Sequence, residues 1–375
     1  MAKDLEIGCY IHIPFCKKIC SYCDFCKVFY NEDLVDEYLD ELEREIKNSY
    51  NGEAIDTLYI GGGTPSALSK HQLEYLFAII EQNLNLKKDL EYTIECNFDS
   101  IDTEKLDLMK KHGINRISFG LESINNENLE KLERLTDKKK AKEIVAYCKK
   151  IGLKNINLDL MYAIPGETIE VLKKDLKFVK ELDPTHISTY SLIIEEHTRL
   201  SINKTNYIDE NLDREMYDTI IKTFKDYDHY EISNFAKKKN YRSKHNLKYW
   251  NNKEYYAYGL GAAGYEGKVR YQHTKSINKY LDGDYMMENG IEILSDKEKI
   301  EYEVLLNLRT KDGIDLRKFE KKYKSRLDNH YNYKKLIDEN LLVEEDRHVF
   351  IPENLWYISN SVIVRLLEEE VNGEW

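Results

Sequence analysis

Three cysteines near the start of the 375-residue chain have a spacing suited to metal–sulfur chemistry. They are Cys16, Cys20 and Cys23, a C-x3-C-x2-C pattern with an aromatic residue before the last cysteine. Thiolates are the usual protein ligands of iron–sulfur clusters, and a short loop can wrap three of them around one cube. Three ligands leave the fourth iron open to bind a small molecule. The spacing therefore predicts a [4Fe–4S] cluster with an open iron.

Structural zinc, bound by these three cysteines and Cys26, is the alternative. Zinc sites usually pair two C-x2-C knuckles across a dozen or more residues, so that each pair approaches the metal from its own turn. Four ligands within so short a loop fit that geometry poorly. The cluster is therefore favoured, and Cys26 is expected to stay free.

A glycine run follows the second predicted strand, in the segment Gly61-Gly62-Gly63-Thr64-Pro65. Such a run can be no more than a tight strand-to-helix turn, because glycine accepts backbone conformations that other residues avoid. Next to a cysteine loop it has a second interpretation. Glycines let backbone amides and carbonyls approach a polar ligand such as an amino-acid group.

Alternating strand-like and helix-like segments must position these residues. Short strands rich in Ile, Leu, Thr and Tyr alternate with charged, periodic helical segments, a pattern typical of βα units that build a parallel sheet. The predicted strands are Cys9–Ile13, Thr57–Ile60, Tyr92–Glu95, Arg116–Phe119, Asn155–Leu160 and His186–Tyr190. Six such units predict an α/β fold, a partial (β/α)6 TIM-like barrel, over residues 1–205.

The unusual residues lie where these strands end, and the chemistry of such barrels gathers at the carboxyl ends of strands. The cysteine loop follows the first strand and the glycine run follows the second. Glu95, Glu122 and Asp159 stand at or just after the third, fourth and fifth strands. The sequence therefore predicts one site at this end of the barrel.

The rest of the chain divides into two predicted parts. Residues 206–295 are rich in Tyr, Asn, Gly and Lys and are predicted to form an irregular connecting region of loops and short strands. Residues 296–375 contain three helix-like segments followed by a hairpin-like pair, which predicts a smaller α+β, winged-helix-like module. Because the chain is acidic, this module is expected to contact protein rather than DNA.

Charge and hydropathy exclude two classes of partner. The formal net charge is −12 and the isoelectric point about 5.5, whereas nucleic-acid-binding proteins usually carry a basic face. No stretch approaches the roughly 18–20 consecutive apolar residues that a membrane span needs. The amino-terminal residues 1–6 are polar and do not resemble a signal peptide. The expected location is the cytoplasm.

In combination, these motifs resemble the radical S-adenosylmethionine (SAM) superfamily, in the branch of oxygen-independent coproporphyrinogen III oxidase. The resemblance covers the first two hundred residues well and the remainder moderately. It is carried by the segments Tyr10–Cys16, Gly61–Pro65, Ile94-Glu95, Arg116–Gly120, Asn157–Leu160 and Tyr162–Gly166.

The resemblance implies a binding site for SAM beside the cluster. Tyr10 would pack beside the cofactor, and Gly62, Gly63 and Thr64 would contact its methionine part. Glu95 and Arg134 would hold its charged ends, and Glu122 and Asp159 its hydroxyl groups. The same resemblance implies that Cys16, Cys20 and Cys23 ligate the iron.

Two segments resemble the heme chaperone subgroup of this branch, known as HemW. The decarboxylating oxidases have a further cysteine where this chain has Phe25. Far downstream, the segment His245–Trp250 reads H-N-L-K-Y-W, a pattern associated with heme binding in the subgroup. The resemblance implies that His245 supplies or supports an axial contact, because neutral imidazole is a common heme ligand, and that Tyr249 and Trp250 pack on the ring. The alternative is that His245 is a structural histidine.

Three departures from the family pattern are visible. Glu122 stands where glutamine is usual, although a carboxylate can still accept bonds from ribose hydroxyls. Arg134-Leu135-Thr136 lacks a usual histidine, and Gly261–Gly264 has Ala263 where a histidine is usual. The change at Ala263 bears on heme binding more than on SAM binding.

The sequence thus predicts a protein that binds heme and passes it to an acceptor protein of unknown identity, with a SAM-liganded cluster as a functional or regulatory part. Two enzymatic alternatives stay open. One is a coproporphyrinogen III oxidase-like decarboxylase that cleaves SAM to a radical, and Phe25 counts against it. The other is a radical-SAM methyltransferase.

Overall fold

A computed structural model describes residues 7–371. The terminal residues 1–6 and 372–375, which include the segment used above to argue against a signal peptide, lie outside the described residues. All six predicted strands of the barrel are confirmed; the third is much longer than predicted, Leu86–Asn97, and the others are slightly longer. None of the helices in the described part of the chain is long and apolar enough to cross a membrane.

The strands of the described residues fall into one large sheet and two small ones. In chain order they are β1 Ile7–Ile13, β2 Phe15–Cys16, β3 Val28–Phe29, β4 Ile55–Gly62, β5 Leu86–Asn97, β6 Arg116–Glu122, β7 Asn155–Tyr162, β8 His186–Ser191, β9 Asp228–Glu231, β10 Asn234–Ala236, β11 Tyr255–Tyr258, β12 Ala263–Glu266, β13 Val269–His273, β14 Met286–Ile293, β15 Ile314–Asp315, β16 Val343–Glu345 and β17 His348–Phe350.

The helices lie between these strands. In chain order they are α1 Glu32–Ser49, α2 Lys70–Asn83, α3 Thr103–Lys111, α4 Asn126–Leu132, α5 Lys138–Lys150, α6 Ile169–Leu182, α7 Arg199–Ile202, α8 Glu210–Thr223, α9 Lys244–Trp250, α10 Ile277–Leu281, α11 Asp296–Asn307, α12 Leu316–Tyr323, α13 Tyr333–Asp338 and α14 Ser359–Leu367. Short 3₁₀ turns are formed by Pro65–Ala67, Lys239–Tyr241, Leu327–Asn329 and Glu353–Ile358.

The open barrel predicted from the βα alternation is confirmed. Strands β1, β4, β5, β6, β7 and β8 lie side by side in that order and are all parallel. The barrel does not close on itself, because β1 pairs on its other side with β11 and β8 pairs with β10. The carboxyl ends of the six strands therefore lie at one rim, as the site prediction requires.

The outer helices form because their ends are capped and one face is apolar. In α1, the side chain of Asn31 accepts a hydrogen bond from the amide of Leu34 and satisfies one of the free donors of the first turn. In α2, Ser69 and Gln72 form a reciprocal capping box. Residues that repeat at helical spacing, such as Leu39, Leu42 and Ile46, are fully buried against the sheet.

The segment 206–295 differs from its expected irregular character. It contributes strands β9 to β14, which extend the barrel sheet at both edges to twelve strands. Its side chains, including Tyr256, Leu260 and Tyr280, belong to the same hydrophobic core as the barrel. We therefore propose that this segment is better described as an extension of the barrel sheet than as a connection.

The carboxy-terminal part has a hydrophobic core of its own, between Ile300 and Leu366. It contains α11 to α14 and the small sheet β15-β17-β16, in which β16 and β17 form the predicted hairpin. The module contacts the large sheet through the buried ring of His229, whose Nδ1 lies 2.8 Å from Oε1 of Glu353. The domain boundaries at 205 and 295 stay predictions.

Candidate functional site

The cysteine loop is fixed at both ends and in the middle. Cys16 ends β2, which pairs with β3 on the far side of the loop. At the centre, the amide of Ser21 donates to the carbonyl of Leu132 at 3.1 Å, and its hydroxyl donates to that of Lys131 at 2.6 Å. The carbonyl of Ser21 accepts from the amide of Leu200 at 3.1 Å. The loop is thus held against α4 and α7.

The three predicted cluster ligands form one electrostatic group. Burial is the largest of the causes that raise the pKa of Cys16 to about 11; the neighbouring sulfurs of Cys23 and Cys20 act in the same direction, whereas the Thr64 hydroxyl and Arg134 oppose the shift. Burial also raises the pKa of Cys23, and Cys20 adds to that shift. Such mutual destabilisation of neighbouring thiolates is relieved when a cation binds them, so these side chains fit an iron site.

Cys26 lies apart from this group. Its Sγ is directed at the carbonyl of Lys275, 3.9 Å away, and packs beside Gly261 on the far side of the loop. Among residues 7–371, no three metal-binding side chains converge closely enough to hold a single ion. A four-iron cube instead takes each thiolate on a different iron, so the three sulfurs need not meet at one point.

Two donors from segments that follow β4 and α4 reach the cluster cysteines. The hydroxyl of Thr64 lies 3.6 Å from Sγ of Cys16, and Nη1 of Arg134 lies 3.6 Å from Sγ of Cys20. Hydrogen bonds from charged or polar donors stabilise thiolates. Asn97 holds both of these side chains. Its amide nitrogen donates to the Thr64 hydroxyl at 3.2 Å, and its amide oxygen accepts from Nη2 of Arg134 at 2.9 Å.

Arg134 is the cationic centre of the rim. Its Nη2 donates to the carbonyl of Gly120 at 3.2 Å and to Oε1 of Glu122 at 3.3 Å. Its Nε is buried and has no hydrogen-bond partner within the described residues. A buried donor without an acceptor is costly, so this atom fits an anionic group of a bound ligand.

The glycine run approaches protein groups closely. Gly62 has φ of +118°, and a Cβ there would lie 2.6 Å from the ring of His12. A Cβ on Gly63 would lie 2.6 Å from the carbonyl oxygen of Pro14 and 2.9 Å from Sγ of Cys16. These glycines are therefore required to seat the cysteine loop. The contact between the backbone of these glycines and a bound ligand stays a prediction.

Three carboxyl groups lie toward the carboxyl ends of neighbouring strands: Glu122 ends β6, whereas Glu95 and Asp159 lie just inside the ends of β5 and β7. Glu95 accepts from the Tyr59 hydroxyl at 2.7 Å and from the amide of Gly62 at 3.1 Å. Burial raises the pKa of Glu95 to about 7. Burial likewise raises the pKa of Glu122 to about 7; Arg134 opposes this shift, and Asp159 acts in the same direction as burial.

Asp159 is held by two donors, the Ser118 hydroxyl at 2.9 Å and the Asn157 side-chain amide at 2.8 Å. Burial raises its pKa, and these hydrogen bonds counteract the shift. Of the three carboxyl groups, Glu122 pairs with Arg134, and the positive charge of Arg116 acts on Asp159. This surplus of acidic groups fits a ligand with a positive charge, and the free protein keeps part of the group protonated.

An aromatic layer lies on the interior side of this rim. The hydroxyl of Tyr10 lies 2.9 Å from Nδ1 of His12, whose Nε2 lies 2.8 Å from the carbonyl oxygen of Cys26. The ring of Tyr10 stacks on Tyr59, which in turn bonds Glu95. Tyr10 is therefore connected to the carboxyl group through Tyr59.

The segment His245–Trp250 forms most of the short helix α9, where loops and strands were expected. His245 is buried, with Nδ1 3.0 Å from Oγ1 of Thr57 and Nε2 2.7 Å from the hydroxyl of Tyr249. Its ring stacks on Tyr59. Burial lowers its pKa to about 3, so the ring is neutral. Both ring nitrogens are engaged, which is the arrangement of a structural histidine.

Tyr249 and Trp250 do not lie together with His245 as three walls of one open site. Tyr249 packs edge-on against His245 and Tyr255. The indole Nε1 of Trp250 is buried and has no hydrogen-bond partner within residues 7–371. The heme role of these three residues stays a prediction, and any direct bond from His245 to iron requires the loss of one of its present partners.

Several residues of the site were given no role by the motifs. Asn97, which holds both Thr64 and Arg134, lies two residues after Glu95 on the same strand. Side chains two apart share a face of a strand, so this position could have been found from the predicted strand alone. His12 and Tyr59 could be found in the same way, from Tyr10 and Gly61 respectively. Asn157 lies two residues before Asp159 on β7, so its side chain is on the same face of the strand.

Comparison with known proteins agrees with this architecture. Residues 10–179 match the Radical SAM superfamily, and residues 294–354 match the HemN C-terminal domain. The heme chaperone HemW of Lactococcus lactis is 37% identical over 97% of this chain and 98% of its own length. That of Bacillus subtilis is 36% identical over 96% of this chain and 99% of its own length.

A solved structure, coproporphyrinogen III oxidase (HemN) from Escherichia coli, described as a radical SAM enzyme, has the same fold. It superposes with a TM-score of 0.83 at 21% identity, covering 96% of this chain and 89% of the oxidase chain. At that identity the likeness concerns the fold alone. The full-length relatives, by contrast, share more than a third of their residues with this chain. The chain therefore belongs to the radical SAM superfamily and, within it, to the heme chaperone HemW family.

Proposed function

We propose that this protein is a heme chaperone, which binds heme and passes it to an acceptor protein. The observation that carries the proposal is the similarity to heme chaperones along the whole chain, rather than in the barrel alone. Phe25, which stands where the decarboxylating oxidases have a further cysteine, supports the same assignment. The acceptor is a protein of unknown identity, and the proposed location is the cytoplasm.

The proposed chaperone carries a [4Fe–4S] cluster on Cys16, Cys20 and Cys23. The electrostatic grouping of these thiols, with Cys26 turned away, supports three ligands rather than four. A cluster bound in this way supplies one open iron. Thr64 and Arg134 donate toward Cys16 and Cys20, and so stabilise their ionised form.

SAM is the proposed ligand of the rim beside this loop. Arg134, with its unpartnered Nε, suits the carboxylate of the methionine part, and the acidic surplus suits its positive charges. Glu95 is placed to hold the ammonium group, and Glu122 and Asp159 to hold ribose hydroxyls. Tyr10 packs below, while Gly62, Gly63 and Thr64 form the wall nearest the cysteine loop.

We propose further that turnover of SAM is not needed for heme binding. The two enzymatic alternatives, a coproporphyrinogen oxidase and a methyltransferase, both consume SAM. The likeness to the oxidase is one of fold, at 21% identity. The chaperone assignment depends instead on relatives that are more similar and equally complete.

The test uses the full chain with its cluster reconstituted anaerobically. Hemin is titrated and the Soret band followed, then the loaded protein is mixed with an apo-globin as a heme-accepting probe. We expect saturation near one equivalent and transfer of heme to the probe. 5′-Deoxyadenosine is measured in parallel with hemin, coproporphyrinogen or neither. If heme binding does not saturate and SAM is cleaved in the presence of coproporphyrinogen, the protein is an enzyme and the chaperone proposal is wrong.

A further inference from the structure

Helix α9 has two faces, and they differ in how far contacts within the protein occupy them. The inward face carries His245 and Tyr249, which bond each other and the barrel. The outward face carries Lys244, Leu247 and Asn251, which line a cavity between α9 and the carboxy-terminal module. On the inward face Tyr249 borders a second, smaller cavity, so the outward face offers a ligand more free side chains and more room.

This cavity has a volume of about 1310 Å³. Cavities that bind small molecules measure about 300–1,000 Å³, so a molecule of the size of heme has room in it. Its walls include apolar and aromatic surfaces from both parts of the chain: Leu247, Tyr265, Ile300 and Tyr323. These surfaces suit the flat, apolar face of a porphyrin.

The cavity is basic although the chain is acidic. Three carboxyl groups, Asp56, Glu254 and Asp296, line it together with six lysines. The lysines are Lys244, Lys248, Lys253, Lys297, Lys299 and Lys322. Within residues 7–371, Lys244 and Lys253 are exposed and belong to no ion pair, while Lys248, Lys299 and Lys322 are held by carboxylates. Two free ammonium groups thus stand at a cavity with aromatic walls.

We propose that this cavity is the heme site, with Lys244 and Lys253 pairing the two propionate carboxylates of the porphyrin. The inference rests on the proposed chaperone function and assigns its ligand to the outer face of α9. His245 then has a positioning role: its bonds to Thr57 and Tyr249 hold the inward face of the helix, so that the outward face is presented to the cavity.

A second cavity, of about 380 Å³, competes for this assignment. It lies beside the cysteine loop and is lined by Tyr10, His12, Cys26, Tyr249 and Ala263, among others. It offers one lysine, Lys275, and one carboxylate, Asp24. Its smaller volume and balanced charge suit a dianionic macrocycle less well than the basic cavity does.

The test compares hemin binding by wild type and by the double variant Lys244→Glu, Lys253→Glu. We expect the dissociation constant of hemin to rise about tenfold or more, because two attractions become repulsions at an exposed site. Hemin dimethyl ester, whose propionates carry no charge, should bind both proteins equally. The matched control Lys238→Glu, Lys239→Glu makes the same charge change at exposed lysines outside the cavity and should leave hemin affinity unchanged.

The outcomes separate this inference from the proposed function. If the wild type saturates with hemin and the double variant binds it equally well, the site assignment is wrong and the chaperone function stands. If the double variant loses affinity for hemin and for hemin dimethyl ester equally, the lysines act through the fold rather than by pairing the propionates, and the site assignment is wrong. Ala263→Trp fills the second cavity. If this variant loses hemin binding, the heme site lies in that cavity, beside the cysteine loop. If wild type binds no hemin, both proposals are wrong.

Discussion

The affinity for SAM should fall steeply as the pH drops through 7. In the free protein burial raises the pKa of both Glu95 and Glu122 to about 7. A ligand with net positive charge favours their ionised forms and so lowers both pKa values on binding. Binding is therefore at full strength above pH 7 and is weakened below it, because protons must first be released.

The size of the effect follows from the ionised fractions. A carboxyl group with a pKa near 7 is about 90% ionised at pH 8 and about 10% ionised at pH 6. Each carboxyl group that must be ionised therefore raises the dissociation constant about tenfold over this range, and the pair up to about a hundredfold. Anaerobic calorimetry in buffers of different ionisation enthalpy measures both the affinity and the protons released.

Single replacements separate the two groups. Glu122→Gln keeps the shape of the side chain and removes one ionisable group. The change in the dissociation constant of SAM between pH 8 and pH 6 should therefore be about tenfold smaller than in wild type. Glu95→Gln should behave in the same way. The control Glu127→Gln, at an exposed position of α4, should leave the profile unchanged. A dissociation constant that is constant from pH 8 to pH 6, with no proton release, would refute the assignment of this acidic rim to SAM.

Three further predictions concern the cluster, the rim and α9. Anaerobic iron and sulfide analysis should show that the cluster is lost in Cys16→Ala, Cys20→Ala and Cys23→Ala. Cys26→Ala should retain it. Equal loss of the cluster in Cys26→Ala would mean that Cys26 is a fourth ligand. Asp159→Ala removes the acceptor of the Ser118 hydroxyl and one of the acceptors of the Asn157 amide, so urea denaturation should show a loss of about 1–3 kcal/mol in unfolding free energy, and SAM should bind more weakly. His245→Ala should lower the unfolding free energy by about 2–4 kcal/mol, since it removes a buried ring with two hydrogen bonds. A Soret maximum unchanged in this variant would agree with a structural His245, whereas a displaced maximum would mean iron ligation.

The barrel and its rim could be predicted because their signals are local. Each strand and helix of the six units is marked by its own composition, and the strand order follows the chain order. Position alone then brings Glu95, Glu122 and Asp159 to one edge, since parallel strands end at the same rim. The three cluster cysteines lie within one loop, so their grouping also needs no distant contact.

The direction in which α9 presents its side chains could not be predicted in the same way. His245 faces inward because Thr57, on the distant strand β4, and Glu91, at β5, bond its ring and its backbone amide. The motif identifies the residue but carries no information about these partners. Likewise, β11, β12 and β13 are only four or five residues long, and only their pairing beside β1 makes them part of the sheet. Their membership depends on pairing across more than two hundred residues.

The parallel pairing of β1 with β11 has a consequence for synthesis on the ribosome. The strand that leads into the cysteine loop is made first, but the strand that covers its outer edge, Tyr255–Tyr258, emerges more than two hundred residues later. At about 5–20 residues per second, this interval lasts roughly 10–50 s. Throughout it, a nascent chain exposes an unpaired β-edge next to three reduced thiols. The cluster loop therefore acquires its complete surroundings only when most of the chain has been translated.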